Sequence, residues 1–546
     1  MSFEQTASRE PSLLDASCDN FVHDLAELTP TDATAWGIPG YDGELEDFSP
    51  EYYEAVADRT REMLADLDAL DDTTDESDDD DDFDEVDYVT AAVLRDRLCL
   101  ELDLHHAGED IRCLNNIASP VQTIRDSLML MEKGSEELRS RLSKVKDALA
   151  GYQESLIEAA SRGLIAPQRQ ISEVFVQCEN LADTHSMLDD LGIEGPEVEA
   201  AKQAFGHFAD WLSNELQTQA PMEDAVGRER YERFSKLFVG DTVDLDEAYE
   251  WGLDQVRTIK AEQEKIATQL YGDPSVRAAM RKLNGEERYQ LHGTEALREW
   301  MQSTADRVIA ELDGTAFDIP EAVRSIECCI DPAGTGGIFY TAPSDDFSRP
   351  GRMWWSVPAG QELFHTWQEL TTVHHEGAPG HHLQIGMALT QPDLNLWRRA
   401  VTWNSGHGEG WALYAEALIA ELGYMDDPGF RMGLYDAQRF RAARVVADIG
   451  LHLGKPLPEG GTWDKSHVMT FMRENTAMDN ANLSFEVNRY LGWPGQAPSY
   501  ALGQRLWQRT RDEALAEGLS VRDFHSQALA LGSVPMSILR EVILSS

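Results

Sequence analysis

Residues 374 to 382 read HHEGAPGHH, and residues 406 to 416 read GHGEGWALYAE. Four histidines and a glutamate within nine residues, followed by a second acidic segment, are the donor types that Zn²⁺ takes. Imidazole nitrogens and carboxylate oxygens bind it, and a catalytic zinc site keeps three protein ligands and one position for water. A common arrangement is HExxH, in which histidines four apart share a helical face and the intervening glutamate activates water. Here His375 and Glu376 open such a motif, but Pro379 stands where the second histidine would be. Pro379 has no N–H to donate, and the flanking Gly377 and Gly380 tolerate unusual backbone angles, so the spacing predicts a bulged helix. On an undistorted helix, at about 100° per residue, His382 would share the face of His375. With a bulge, His381 becomes the ligand. His381 is the favoured reading, with His382 then supporting a ligand or touching substrate.

A third ligand is expected from the helix that GEGWALYAEALIAELG predicts. Glu409 and Glu416 lie seven apart, hence on one face. Glu409 is the expected ligand, and Glu416 could orient a ligating histidine; two surface glutamates are the plainer alternative. In RAARVVADIGLH, Arg444, Asp448 and His452 recur at i,i+4 spacing, giving either an Arg–Asp pair or a His452 that lines the cleft and donates to substrate. FEVNRYLGWPGQAPSYALGQ places Arg489, Tyr490 and Tyr500 around a Pro/Gly turn. A tyrosine hydroxyl near zinc can stabilise the oxyanion formed when an amide is attacked.

The elements that must position these residues are mostly helical. Apolar residues recur at helical spacing from Pro11 to about Leu70, and again from about residue 88 to 310. Between them, residues 71 to 88 form a dense acidic run, expected to be a solvated loop. His105 and His106 have no ligand partner at helical spacing and are read as ordinary surface or packing histidines. From Ala322 to Pro358 the texture turns β-branched, aromatic and glycine-rich, predicting two or three short strands with turns at PAGTGG and DDFSRPG. A small antiparallel sheet is therefore expected just before the histidine cluster, and helices again after it. With 546 residues, the chain exceeds the size of a single growing core. We expect an N-terminal helical region over residues 1 to 230 and a catalytic region over 231 to 546.

The chain has 46 basic and 98 acidic residues, a formal net charge of -52, which argues against a nucleic-acid partner. The acidic residues are spread along the whole length and lysine is scarce, a pattern suited to a high-salt cytoplasm that screens the repulsion. Six cysteines without a CxxC pair indicate neither a disulfide framework nor a thiolate zinc site. The N-terminus lacks a basic start followed by an apolar core, and no apolar run reaches about 18 residues. A cytoplasmic protein with no membrane partner is expected.

HEGAPGHHLQ, EGWALYAE, RAARVVADIGLH and NRYLGWPGQAPSY together, in this order, resemble the signature blocks of domain of unknown function 885. That family is grouped with gluzincin-type metallopeptidases, similar to thimet oligopeptidase, angiotensin-converting enzyme and carboxypeptidase Taq. The resemblance is strongest over residues 330 to 510. It implies a mainly α, two-lobed body flanking a deep channel, with one zinc held by His375, His381 and Glu409. It further implies Glu376 as general base and Tyr500 as oxyanion donor, a role for which Tyr490 and His452 are the alternatives. The expected activity is zinc-dependent hydrolysis of short peptides. Hydrolysis of a non-peptide amide, or a helical binding protein with a degenerate site, are the other readings. Mn²⁺ or Co²⁺ would suit the same ligands.

Overall fold

A computed structural model describes residues 9–74, 83–331, 337–344, 347–358, 360–457 and 460–545. Helices run almost throughout, from Leu13–Leu28 to Met536–Ser545, so the chain is mainly α. Many begin on their own caps. Ser12 accepts from the Asp15 N–H while the Asp15 carboxylate accepts from the Ser12 N–H, and Asp84 and Asp87 repeat this exchange at the start of Glu85–His106. That second cap corrects the extent of the acidic loop. Helix Pro50–Thr74 runs on through residues 71 to 74, and Glu85–His106 takes up 85 to 88, where Glu85 and Asp87 lie in the first turn and carboxylates close to a helix N-terminus are favourable. Residues 75 to 82 lie outside the described residues.

The strand-rich stretch forms a three-stranded sheet. Gly351–Ser356 is central, pairing antiparallel with Ile338–Thr341, with Phe339 opposite Trp354 and Tyr340 opposite Met353. Ile326–Asp331 lies parallel on its other side, placing Cys328 opposite Met353. Of the two expected turns, residues 332 to 336 and 345 to 346 lie outside the described residues. A second pair joins Gln290–His292, inside the stretch read as mostly helical, to Leu363–His365, which delivers the chain directly into helix Thr366–Glu376.

Burial of the apolar stripes yields several cores. Residues of the first helices, such as Leu14, Phe21 and Leu94, share one core with Leu297, Trp411, Trp507 and Leu539. Helices Leu13–Leu28 and Glu85–His106, both within the first 230 residues, thus share a core with helices of the C-terminal part. A second core, including Tyr152 and Phe205, is built wholly from residues 48 to 220. A third joins Tyr231 and Tyr249 to Val446, Leu483 and Tyr490.

Two long helices that frame the site approach closely, Ser405–Glu421 and Ser499–Glu517. Glycine makes this possible: a Cβ on Gly410 would lie 2.5 Å from the Gly503 carbonyl carbon, and one on Gly503 would lie 2.1 Å from the Gly406 oxygen. Gly406, Gly410 and Gly503 thus mark backbone-to-backbone contacts between the two helices. Among the described residues, no helix is long and apolar enough to cross a membrane, and all six cysteines are free thiols.

Candidate metal centre

Helix Thr366–Glu376 stops at Glu376, where a bulge is expected, and a new helix starts at His381. The chain breaks the helix rather than bulging it. Residues 377 to 380 form a turn in which the Gly377 N–H donates to Val373 O and the Gly380 N–H to His374 O, both at 3.0 Å. In an uninterrupted helix, residue 378 would make the bond to His374 O that Gly380 makes here. Two residues are thus spliced in, and His381 stands where residue 379 of a regular HExxH helix would stand. A Cβ on Gly380 would lie 1.9 Å from His375 O, so only glycine fits the splice. The turn is tied down from two sides. Trp411 Nε1 donates to Pro379 O at 2.8 Å, and His374 Nδ1 donates to Ala378 O at 3.0 Å.

This splice brings three ligand-type side chains together. His375 Nε2 lies 3.3 Å and His381 Nε2 3.5 Å from Glu409 Oε2, and the three donor atoms all fall within 4.8 Å of one another. The two imidazole rings stand nearly perpendicular, at 88°. Glu416, two helical turns after Glu409, reaches the other side of His375: its Oε1 accepts from Nδ1 at 2.8 Å, while its Oε2 accepts from the Thr371 hydroxyl at 2.6 Å.

The residues present fit a zinc ion. Nδ1 donates to Glu416, so Nε2 is the nitrogen turned toward Glu409; once it gives up its proton, it and the Glu409 carboxylate are two electron-pair donors facing one point. Glu409 Oε2 is buried and without a hydrogen-bond partner. Four ligands placed about 2.0–2.1 Å from a common tetrahedral centre stand roughly 3.3–3.4 Å apart, close to the two distances from the histidines to Glu409. The electrostatics also call for a cation. Burial would lower the His375 pKa, but Glu409 and Glu416 outweigh it and push it up to about 10. For Glu409, burial is outweighed in the same way by His375 and His381, which hold its carboxyl well below the usual range.

The triad lies in a cleft of about 810 Å³ that is also lined by Glu376, Tyr340, Trp403, Arg441, Arg444, Glu486, Arg489 and Tyr500. Burial raises the Glu376 pKa. Burial and the nearby Glu409 charge raise that of Tyr500, so its hydroxyl keeps its proton at neutral pH. The Arg444 guanidinium sits 4.8 Å over the Tyr500 ring. Of the residues expected at the site, His375, Glu376, His381, Glu409, Arg489 and Tyr500 share this cleft.

Three others do not. His382, about 100° further round its helix than His381, turns away from the triad. Its Nε2 donates to Val323 O at 2.8 Å, leaving Nδ1 to accept from the Tyr340 hydroxyl at 3.0 Å, so it holds a cleft-lining tyrosine instead of touching the cleft. His452 lies eight residues after Arg444 on helix Pro428–His452, a drift of about 80°, which carries it out of the cleft wall. Its Nε2 donates to Tyr490 O at 2.9 Å. Tyr490 is buried in the third core, donating to Glu486 at 2.6 Å and accepting from Arg444 Nε at 3.0 Å. Nor do Arg444 and Asp448 pair with each other. Arg444 meets Glu486, while Asp448 accepts from Tyr231 and from the Gly495 N–H. The RAARVVADIGLH block is therefore a clamp on helix Asn480–Gly492 and the turn after it.

Sequence reasoning passed over Glu486, Tyr340, Trp403 and Arg441 as cleft residues. Glu486 carried a signal, lying three and four residues before Arg489 and Tyr490. Tyr340 carried none, since its partner His382 comes from a different element.

The backbone has relatives of known structure. It is similar to a crystal structure described as "the putative lipoprotein from Colwellia psychrerythraea", with a TM-score of 0.78 and 22% identity, over 97% of this chain and 98% of that one. It is also similar to a "putative lipoprotein of unknown function from Shewanella oneidensis", with a TM-score of 0.73 and 16% identity, over 98% of this chain and 100% of that one. No curated protein matches. The family model described as bacterial protein of unknown function (DUF885) matches residues 30–543, and the chain belongs to that family.

Proposed function

We propose that the chain is a zinc-dependent hydrolase that cleaves the amide bonds of short peptides. One observation carries this reading: His375, His381 and Glu409 converge beside Glu376 in a cleft large enough for an oligopeptide segment. Zinc, when bound, supplies a Lewis acid that polarises a carbonyl and acidifies water. The chain's residues divide the remaining work. Glu416 and Thr371 fix the ring of His375, and the glycine turn sets the position of His381. The Glu376 carboxylate takes a proton from the attacking water and hands it to the leaving amine. The protonated Tyr500 hydroxyl donates to the oxygen on which charge develops. Tyr340 and Trp403 supply apolar and hydrogen-bonding surface to the substrate.

Elemental analysis and turnover of a mixed peptide library test the reading together. About one zinc per chain is expected, lost in His375→Ala, His381→Ala and Glu409→Ala and kept in His382→Ala. Glu376→Gln should retain the metal and lose roughly 10²–10⁴-fold in turnover. Full activity in Glu376→Gln, or a protein that takes up no zinc, would sink the proposal.

A further inference from the structure

Beyond the triad, the cleft wall holds a charge arrangement with no internal explanation. Arg444 and Arg489 are each more than nine-tenths buried, at 6% and 7% exposure. Both line the same cleft as His375, His381 and Glu409. They share one carboxylate: Glu486 Oε2 accepts from Arg444 Nη2 at 2.7 Å and from Arg489 Nη2 at 3.0 Å, as well as from Tyr490. Two guanidinium groups against one carboxylate leave a net positive charge. Burial would lower the Arg444 and Arg489 pKa values, but Glu486 outweighs it and raises both, so both stay charged. Their remaining donors are not all used. Arg489 Nη1 bonds Gln496 Oε1 at 3.0 Å, yet Arg489 Nε and Arg444 Nη1 are buried without a partner. A buried, charged N–H left unbonded is costly, so donors of this kind are normally met by an acceptor such as water, an ion or a ligand.

The position of these donors matters as much as their number. The Arg444 guanidinium stacks on the Tyr500 ring, and the Tyr500 hydroxyl feels the charge of Glu409 as well as those of Arg444 and Arg489. Tyr500 therefore stands between the candidate metal ligands and the arginine pair. A substrate lying across Tyr500 would present its reacting carbonyl on one side and whatever it offers the arginines on the other. The planar fork of arginine matches a carboxylate, which can take two parallel N–H bonds.

Resting on the peptidase reading above, we propose that Arg444 and Arg489 bind the free α-carboxylate of the substrate's C-terminal residue. The enzyme is then one that removes residues from the C-terminal end of short peptides, with Glu486 as the residue that holds the two guanidinium groups in place.

Calorimetry on the zinc-loaded Glu376→Gln protein tests this without turnover, using Ala-Ala-Phe as the free acid and as its C-terminal amide. The acid should bind at least about tenfold more tightly, the scale of one charge-assisted hydrogen bond. Arg489→Gln in the same background should abolish that preference and leave amide binding unchanged. Arg489→Lys, which keeps the charge but loses the fork, should retain part of it. Equal binding of acid and amide, no binding of either, or a preference that survives Arg489→Gln would each overturn the assignment. The acid–amide comparison needs no arginine variant, so it stands even if Arg489→Gln fails to fold. Hydrolysis of the same pair by the unmodified enzyme separates the two readings. Acid-selective binding without cleavage would overturn the peptidase and uphold the carboxylate site, and cleavage of the amide as fast as the acid would do the reverse.

Discussion

Glu486 shows how one side chain can set the charge state of a cleft wall. Burial would raise its pKa, but Arg444 and Arg489 outweigh that effect and hold it at about 2, against 4.5 for an ordinary glutamate. A carboxylate whose pKa is depressed in the fold contributes stability that is complete above its unfolded value and is lost as the pH falls through the folded one. The shift corresponds to a contribution on the order of 3 kcal/mol at neutral pH. Glu486→Gln should therefore lower the thermal midpoint strongly at pH 7, where it leaves two buried guanidinium groups facing each other. The gap between the variant and the parent should narrow as the pH drops below about 4.5 towards 2. Midpoints measured across that range decide the matter, and a gap independent of pH would mean that Glu486 is not ionised in the fold.

At the scale of elements, the turn between two short helices decides whether His375, His381 and Glu409 meet at all. The two-residue splice at 377–380 is legible in the sequence, because a proline flanked by glycines inside an otherwise helical HE segment has few backbone solutions. The convergence of His381 on Glu409 follows from it. The partners of His382, His452 and Tyr490 were not legible, for a common reason. Each is satisfied by a group outside its own run of periodicity, Val323 and Tyr340 for His382, Tyr490 O for His452, and Arg444 for the Tyr490 hydroxyl. Periodicity states which face a residue occupies on its own helix but not which element covers that face. The parallel placement of Ile326–Asp331 was hidden similarly, since a run of β-branched and aromatic residues predicts strands without their order. Gly380→Ala tests the turn itself. Its Cβ would collide with His375 O and His374 O, both backbone atoms that cannot swing aside. We expect a loss at or beyond the roughly 1–3 kcal/mol typical of overpacking, together with loss of zinc stoichiometry. A Gly380→Ala protein that unfolds and binds zinc like the parent would show that the turn does not set the ligand position.

Across the whole molecule, two electrostatic effects oppose one another, and their balance predicts how the protein responds to salt. Arginines and lysines pair widely with carboxylates on the surface, as in Arg505 with Glu247 and Arg228 with Asp246, and salt weakens such exposed pairs. Each is worth little, typically below about 1 kcal/mol. Against them stands the repulsion among 98 acidic residues matched by only 46 basic ones, a net charge of -52 that no pairing can remove. Screening that repulsion stabilises the folded chain, since folding brings the charges closer than they are in the unfolded one. The Debye length falls from about 10 Å at 0.1 M salt to about 3 Å at 1 M, so added salt screens repulsion between exposed carboxylates. The repulsion dominates because it sums over every pair of the excess carboxylates, while each exposed ion pair is individually weak. The thermal midpoint should therefore rise steadily as KCl is increased from about 0.1 M to 1 M and above, and the protein should be least stable in dilute buffer. Scanning calorimetry over that series tests the balance, and a midpoint that falls with added KCl would mean that the surface ion pairs outweigh the excess acidic charge.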